Sequence, residues 1–225
     1  MVTSLKNLPL RPSKAPNLPI APVDYSQTYQ DQLLNALRLY FAEVDNYTQS
    51  TTSDTGGKYI SFPYVAAGDT TNQYPTAANT PTIVAWNTLY AGQGFTLNSD
   101  STATATYSGT YKITYSLEFA NSDNAAHDCI VWLRVNGVDV DASTTIFTLP
   151  ARKSAGVYSY VCGYSEVVFQ LNAGDKIGLW WGTDQAASSG GALGTWIYYR
   201  AAQTVPMAYP ATPSAIGSIT FVSAT

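Results

Sequence analysis

"GTYKITYSLEFAN", residues 109–121, alternates without a break. Tyr111, Ile113, Tyr115, Leu117 and Phe119 fall on one side, and Lys112, Thr114, Ser116 and Glu118 on the other. A period of two is the period of a β-strand, whose successive side chains point to opposite faces. Wound as a helix, the same residues would scatter their apolar groups around the axis. The stretch therefore predicts a long strand with one face in a core and one face outside it.

The flanking sequence continues in the same way. "CIVWLRVNGVDV" (129–140) is a strand, an Asn136-Gly137 turn and a return strand, the dipeptide being the one that tight hairpins favour. "EVVFQLNAGDKIGLWWG" (166–182) places Val167, Phe169 and Leu171 before a turn at Asn172–Asp175, and Ile177, Leu179 and Trp181 after it. "TPTIVAW" (80–86) reads as the opening strand of the domain, and "GTWIYYR" (194–200) and "SAIGSITFVS" (214–223) as late strands. "DQAASSGGALG" (184–194) reads as a flexible loop. Many short strands separated by turn signals, with no internal repeat, predict an antiparallel sandwich or jelly roll.

The front of the chain differs. Pro9, Pro12, Pro16, Pro19 and Pro22 each fix their own φ and push the preceding residue toward extended geometry, so residues 1–24 read as an extended arm. Leu8, Leu10, Leu18 and Ile20 give the arm apolar teeth, and Arg11 and Lys14, with Lys6, precede the first acid, Asp24. One amphipathic helix follows, within 25–48. Thr28 and Asp31 supply a start signal, Leu33, Leu37, Tyr40 and Val44 form a stripe, and Leu34 and Phe41 widen it. A short helix with such a stripe needs a partner surface. Residues 49–79 read as linker and leading β segment, and 80–225 as the β domain.

Composition narrows the function classes. Hydrophobic residues make up 45% of the 225, enough for a large core, but charged residues only 12%, about half the usual share. The sequence pI near 4.7 argues against a nucleic-acid partner, which asks for a basic stripe. No apolar run is long enough for a membrane-spanning helix, and the first twenty residues lack the apolar segment of a secretory signal. Cys129 and Cys162 are too few for a disulfide framework and read as buried free thiols, the alternative being a single bridge between them.

The ordered strand motifs resemble the trimeric jelly roll shared by tumour necrosis factor and the globular heads of complement component one, subcomponent q. Gly109, Tyr111 and Ile113 match a G-x-Y-x-aliphatic strand, and Leu133 to Gly137 match a strand ending in Asn-Gly. Leu171, Gly174, Asp175, Ile177 and Leu179 match L-x-x-G-D-x-(V/I)-x-L. The likeness covers roughly 80–223, with an extra stretch at 200–213. It implies a homotrimer, the helix standing where the complement proteins carry a collagen stalk. The Pro-rich "APNLPIAP" followed by "LLNALRLYFAEVDN" resembles the front end of structural proteins of tailed bacteriophages.

Chemistry-bearing residues are sparse. His127 is the single histidine, and its neighbour Asp128 points to the opposite face of a strand, so the two form no ready dyad. No nucleophile elbow or phosphate-binding glycine loop occurs, and no catalytic residue or cofactor is expected. Asp139 and Asp141, just past the hairpin, are calcium candidates by ligand type, though they read as solvated loop acids. Tyr158, Tyr160 and Tyr164 with Trp180, Trp181 and Trp196 offer a sugar-binding surface if they gather, or else core and subunit interface. The expected function is a non-enzymatic virion protein. It would be a homotrimeric capsid decoration, cement or head-fibre protein assembled in the host cytoplasm and anchored to other virion proteins through residues 1–24. The alternative is a tail-fibre or receptor-binding tip that recognises host surface glycan.

Overall fold

The computed structural model describes residues 16–52, with side chains to residue 48, and 62–224. The chain divides into two compact units at Ser61/Phe62. The first contains helix α1, Gln27–Thr52. Its cap is Ser26, two residues before the expected Thr28. The Ser26 Oγ accepts the Tyr29 N–H at 3.3 Å, and the Ser26 carbonyl accepts the Gln30 N–H at 3.2 Å. A hydroxyl at that position satisfies an amide that has no partner inside the helix. Leu33, Leu37, Tyr40 and Val44 lie half-buried along one stripe, while Leu34 and Phe41 are each 58% exposed.

Among the described residues the second unit holds thirteen strands. In chain order they are β1 Tyr64–Asp69, β2 Thr82–Ile83, β3 Thr88–Gln93, β4 Phe95–Leu97, β5 Ala103–Ala105, β6 Gly109–Asn121 and β7 His127–Val135. There follow β8 Val138–Asp139, β9 Thr145–Leu149, β10 Ser159–Leu171, β11 Lys176–Thr183, β12 Thr195–Ile197 and β13 Ala215–Ser223. One sheet runs β10-β6-β13-β1-β3 with β12 also on β6; the other runs β4-β5-β11-β7-β8 with β2 on β11 and β9 on β7. The paired strands are antiparallel, and successive long strands switch sheets, as in a jelly roll. The domain thus starts near residue 62, not 80. Tyr64–Asp69 pairs with β13 along its whole length, whereas the expected opening strand at 80–86 contributes only two residues, paired with β11.

The alternation at 109–121 is realised residue by residue. Tyr111, Ile113, Tyr115, Leu117 and Phe119 are buried and meet Val131, Leu133, Leu179 and Trp181 of the facing sheet in one core. Burying side chains of this size contributes about 1.5–3 kcal/mol each. Gly163 on β10 has no Cβ for a packing reason: one there would sit 2.8 Å from Phe119 and 3.1 Å from Phe147.

The two turn motifs also explain themselves. Asn136 and Gly137 adopt φ 52° and 81°, as a two-residue hairpin demands. Gly174 takes φ 90°, and Asp175 closes its turn by accepting the Asn172 N–H at 2.7 Å, which holds the carboxyl below its ordinary pKa. Asn136 then ties the turns together, donating to Asp175 at 2.8 Å and accepting the Lys176 N–H at 2.9 Å.

Candidate functional site at the distal end of one sheet

Phe62, where the second unit begins, stacks on Phe221 at 5.8 Å. Tyr64 pairs with Thr220, which pairs with Lys112. At the other end of β6, Ala120 lies between Tyr160 of β10 and Trp196 of β12. From Lys112 to Ala120 is roughly 26 Å at about 3.3 Å per residue. The chain thus joins the sandwich at one end, and a distinct cluster occupies the opposite end.

Phe119 points into the core, so Ala120 and its cross-strand neighbours point outward. The small methyl of Ala120 leaves room for large rings on both sides. Tyr158 and Trp196 meet edge to face at 5.1 Å and Trp196 and Tyr198 likewise at 5.9 Å, while Tyr160 and Tyr198 meet at a tilt at 5.2 Å. Tyr74 stacks on Trp196 at 6.3 Å, and Ala187 of the 184–194 loop packs on the same group. The result is a second, smaller apolar cluster on the outside of the sheet.

An arginine stands at each end of this strip. The Arg200 guanidinium lies 4.6 Å from the centre of the Tyr160 ring and 5.5 Å from that of Tyr198. Burial opposes its charge, but hydrogen bonds to the phenols of Tyr209, Tyr160 and Tyr198 outweigh that and raise its pKa. A cavity of about 160 Å³ opens there, lined by Glu118, Tyr160, Tyr198, Arg200 and Thr212. A second, of about 200 Å³, is lined by residues including Tyr74, Arg152, Tyr158, Ser188 and Trp196. Among the described residues neither arginine makes an ion pair; the pairs are Lys112–Glu166, His127–Asp123, His127–Asp184 and Arg134–Asp139. The buried Nε1–H of Trp196 has no acceptor among the described residues.

The loop over this end is pinned by His127. Its Nε2 lies 2.9 Å from Asp123 and its Nδ1 3.2 Å from Asp184. Burial opposes the imidazolium, but the two carboxylates outweigh it and raise the pKa. Asp128, the sequence neighbour, instead accepts from the Thr148 hydroxyl.

Of the aromatic residues singled out in the sequence, Tyr158, Tyr160 and Trp196 come together. Tyr164 lies exposed further along β10, Trp181 is in the core, and Trp180 sits on the other sheet under Arg134 at 4.2 Å. Tyr74, Arg152, Tyr198 and Arg200 were not anticipated. The last two had a signal, because the odd-even pattern of "TWIYYR" places Trp196, Tyr198 and Arg200 on one side. Cys129 and Cys162 are free, but only Cys129 is buried, and burial pushes its thiol up to about 11; Cys162 faces outward beside Ser116. Asp139 accepts hydrogen bonds from Trp132 and Arg134, Asp141 is exposed, and no metal-holding group of three or more ligand side chains occurs among the described residues. In the arm, Leu8, Leu10, Arg11 and Lys14 lie outside the described residues, while Leu18 and Ile20 are 50% and 95% exposed.

The strand order, with β10-β6-β13-β1 facing β5-β11-β7-β9, defines an antiparallel jelly-roll sandwich, preceded in the chain by a helix. Among solved structures the chain is similar to the Eiger TNF of S. frugiperda, at 13% identity over 72% of this chain and 96% of that one, with a TM-score of 0.44. No protein-family model and no curated protein matches the sequence. No helix among the described residues is long and apolar enough to cross a membrane.

Proposed function

We propose that this chain is a non-enzymatic structural protein of a bacteriophage particle. It forms a homotrimer that decorates or cements the capsid, or builds a short head fibre, and residues 1–24 anchor it to other virion proteins. The observation that carries this reading is the helix unit ahead of the sandwich. Its stripe is half-buried, and Leu34, Leu39 and Phe41 beside it are 58%, 64% and 58% exposed. Apolar area of that kind is best covered by copies of itself in a trimer. The state of the nucleophile candidates supports a non-enzymatic role: Cys129 is buried and protonated, and both nitrogens of His127 are held by carboxylates.

The test is deletion of residues 1–24. The truncated protein should remain soluble and folded yet be missing from purified particles. Normal copy number on the particle would place the contact in the sandwich and remove the anchoring role of the arm.

A second reading, attachment to host surface glycan, is favoured by the aromatic strip with its two unpaired arginines. The strip lies at the end of the sandwich away from Phe62.

A further inference from the structure

We infer that the strip from Arg152 to Arg200 is a binding site for an acidic oligosaccharide, one bearing more than one carboxylate. This rests on the glycan-attachment reading and adds the class of glycan.

Four observations converge. The first is the pair of unpaired cations. A half-buried guanidinium without a carboxylate is an incomplete arrangement, and its planar fork matches a carboxylate in bidentate fashion. Arg200 is set by tyrosine phenols and aromatic faces, and although Glu118 lines the same cavity the two form no ion pair among the described residues, so the guanidinium fork is held in place without a carboxylate partner. Arg152 lines the other cavity, and its charge is felt at Asp123 without an ion pair forming.

The second is the wall between them. Tyr74, Trp196, Tyr158, Tyr160 and Tyr198 form a continuous run of rings with centres 5.1–6.4 Å apart. Rings with a polar edge suit sugars, which present apolar faces and a rim of hydroxyls. The third is the supply of hydroxyls and small residues, with Ser188 and Gly191 at one cavity and Thr212 at the other. The fourth is the buried Trp196 N–H, an unused donor in a side chain that lines the larger cavity.

Charge selects the acidic class. The chain as a whole carries −4, so an acidic polymer would be repelled by most of this surface. Two cations placed at the ends of one aromatic strip are a local exception. A neutral glycan would leave both unused.

The experiment is calorimetric titration of the full chain with tetragalacturonate and, as a neutral sugar of equal length, maltotetraose. Tetragalacturonate should bind, more weakly as salt is raised, and maltotetraose should bind at least about tenfold more weakly. Arg152→Gln and Arg200→Gln should each weaken tetragalacturonate about tenfold, the scale of a lost charged hydrogen bond. Arg200→Lys, which keeps the charge but not the fork, should fall between Arg200→Gln and the parent. Lys112→Gln, a base on the same sheet face at the other end, should leave affinity within about twofold, with circular dichroism confirming the fold of each variant. Equal binding of both sugars, untouched by the arginine changes, would overturn the acidic class while leaving glycan attachment standing. Binding of neither sugar would overturn both. Equal binding of a polyglutamate peptide would show a site for negative charge alone and overturn the assignment to sugars.

Discussion

At the scale of single residues, His127 couples the distal loop to pH. Burial opposes its charge, yet Asp123 and Asp184 hold its pKa above the ordinary histidine value. A folded pKa above the unfolded one gives stability that is fully present below about pH 6.5 and is lost as pH rises through the folded value. Asp123 has the opposite sign. The His127 hydrogen bond holds its carboxyl down, so its contribution is present above about pH 4 and is lost as pH falls through its folded value. The clamp is therefore strongest in weak acid. The melting temperature of the parent should fall, relative to His127→Gln, between about pH 6 and about pH 8. Parallel pH profiles for the two proteins would mean that the imidazole is not held as a cation.

At the scale of elements, α1 is the one whose role is least accounted for by its own unit. Ser26 starts it, and its apolar stripe is only half-buried. Leu37 sits at the centre of that stripe, where an unpaired charge buried in an interface is costly. Leu37→Asp should weaken assembly while the circular-dichroism signature of the sandwich persists, since the sandwich core is drawn from residues of the second unit. Collapse of the β signal in that variant would mean that the stripe is needed for the sandwich to fold. The long strands show the contrasting case. In β6 the partners of Tyr111, Leu117 and Phe119 lie in the same unit, and the element is accounted for by its own core.

For the whole molecule, the two ends of the sandwich have different characters. One receives the chain at Phe62 beside Phe221; the other carries the rings, arginines and loops. The outer face between them bears hydroxyls such as Thr114, Ser116 and Ser218, with few charges, beside exposed Tyr164, Val168 and Ile216. A face of this kind suits a subunit contact. Sedimentation of the purified protein should give three times the chain mass of 24.2 kDa. A monomer at micromolar concentration would remove both the trimer and the proposed role of the helix.

The sequence by itself determined the long strands β6, β7, β11 and β13, which face of β6 is buried, the hairpin at Asn136-Gly137 and the turn at Gly174-Asp175. Each of these is local, governed by the period of side-chain direction and by backbone angles that few residues adopt. It also carried the order of motifs from which the jelly roll was legible. Tertiary structure alone decided which strand opens the fold, because pairing between Tyr64–Asp69 and β13 joins positions far apart in the chain and leaves no periodic mark. It likewise decided the fate of the aromatics. Trp180 and Trp181 are adjacent, yet one meets Arg134 outside and the other lies in the core, while Tyr74, Tyr158 and Trp196 meet only because three separate segments converge over Ala120. A site made of distant segments depends on register and sheet order, which act between strands and not along them.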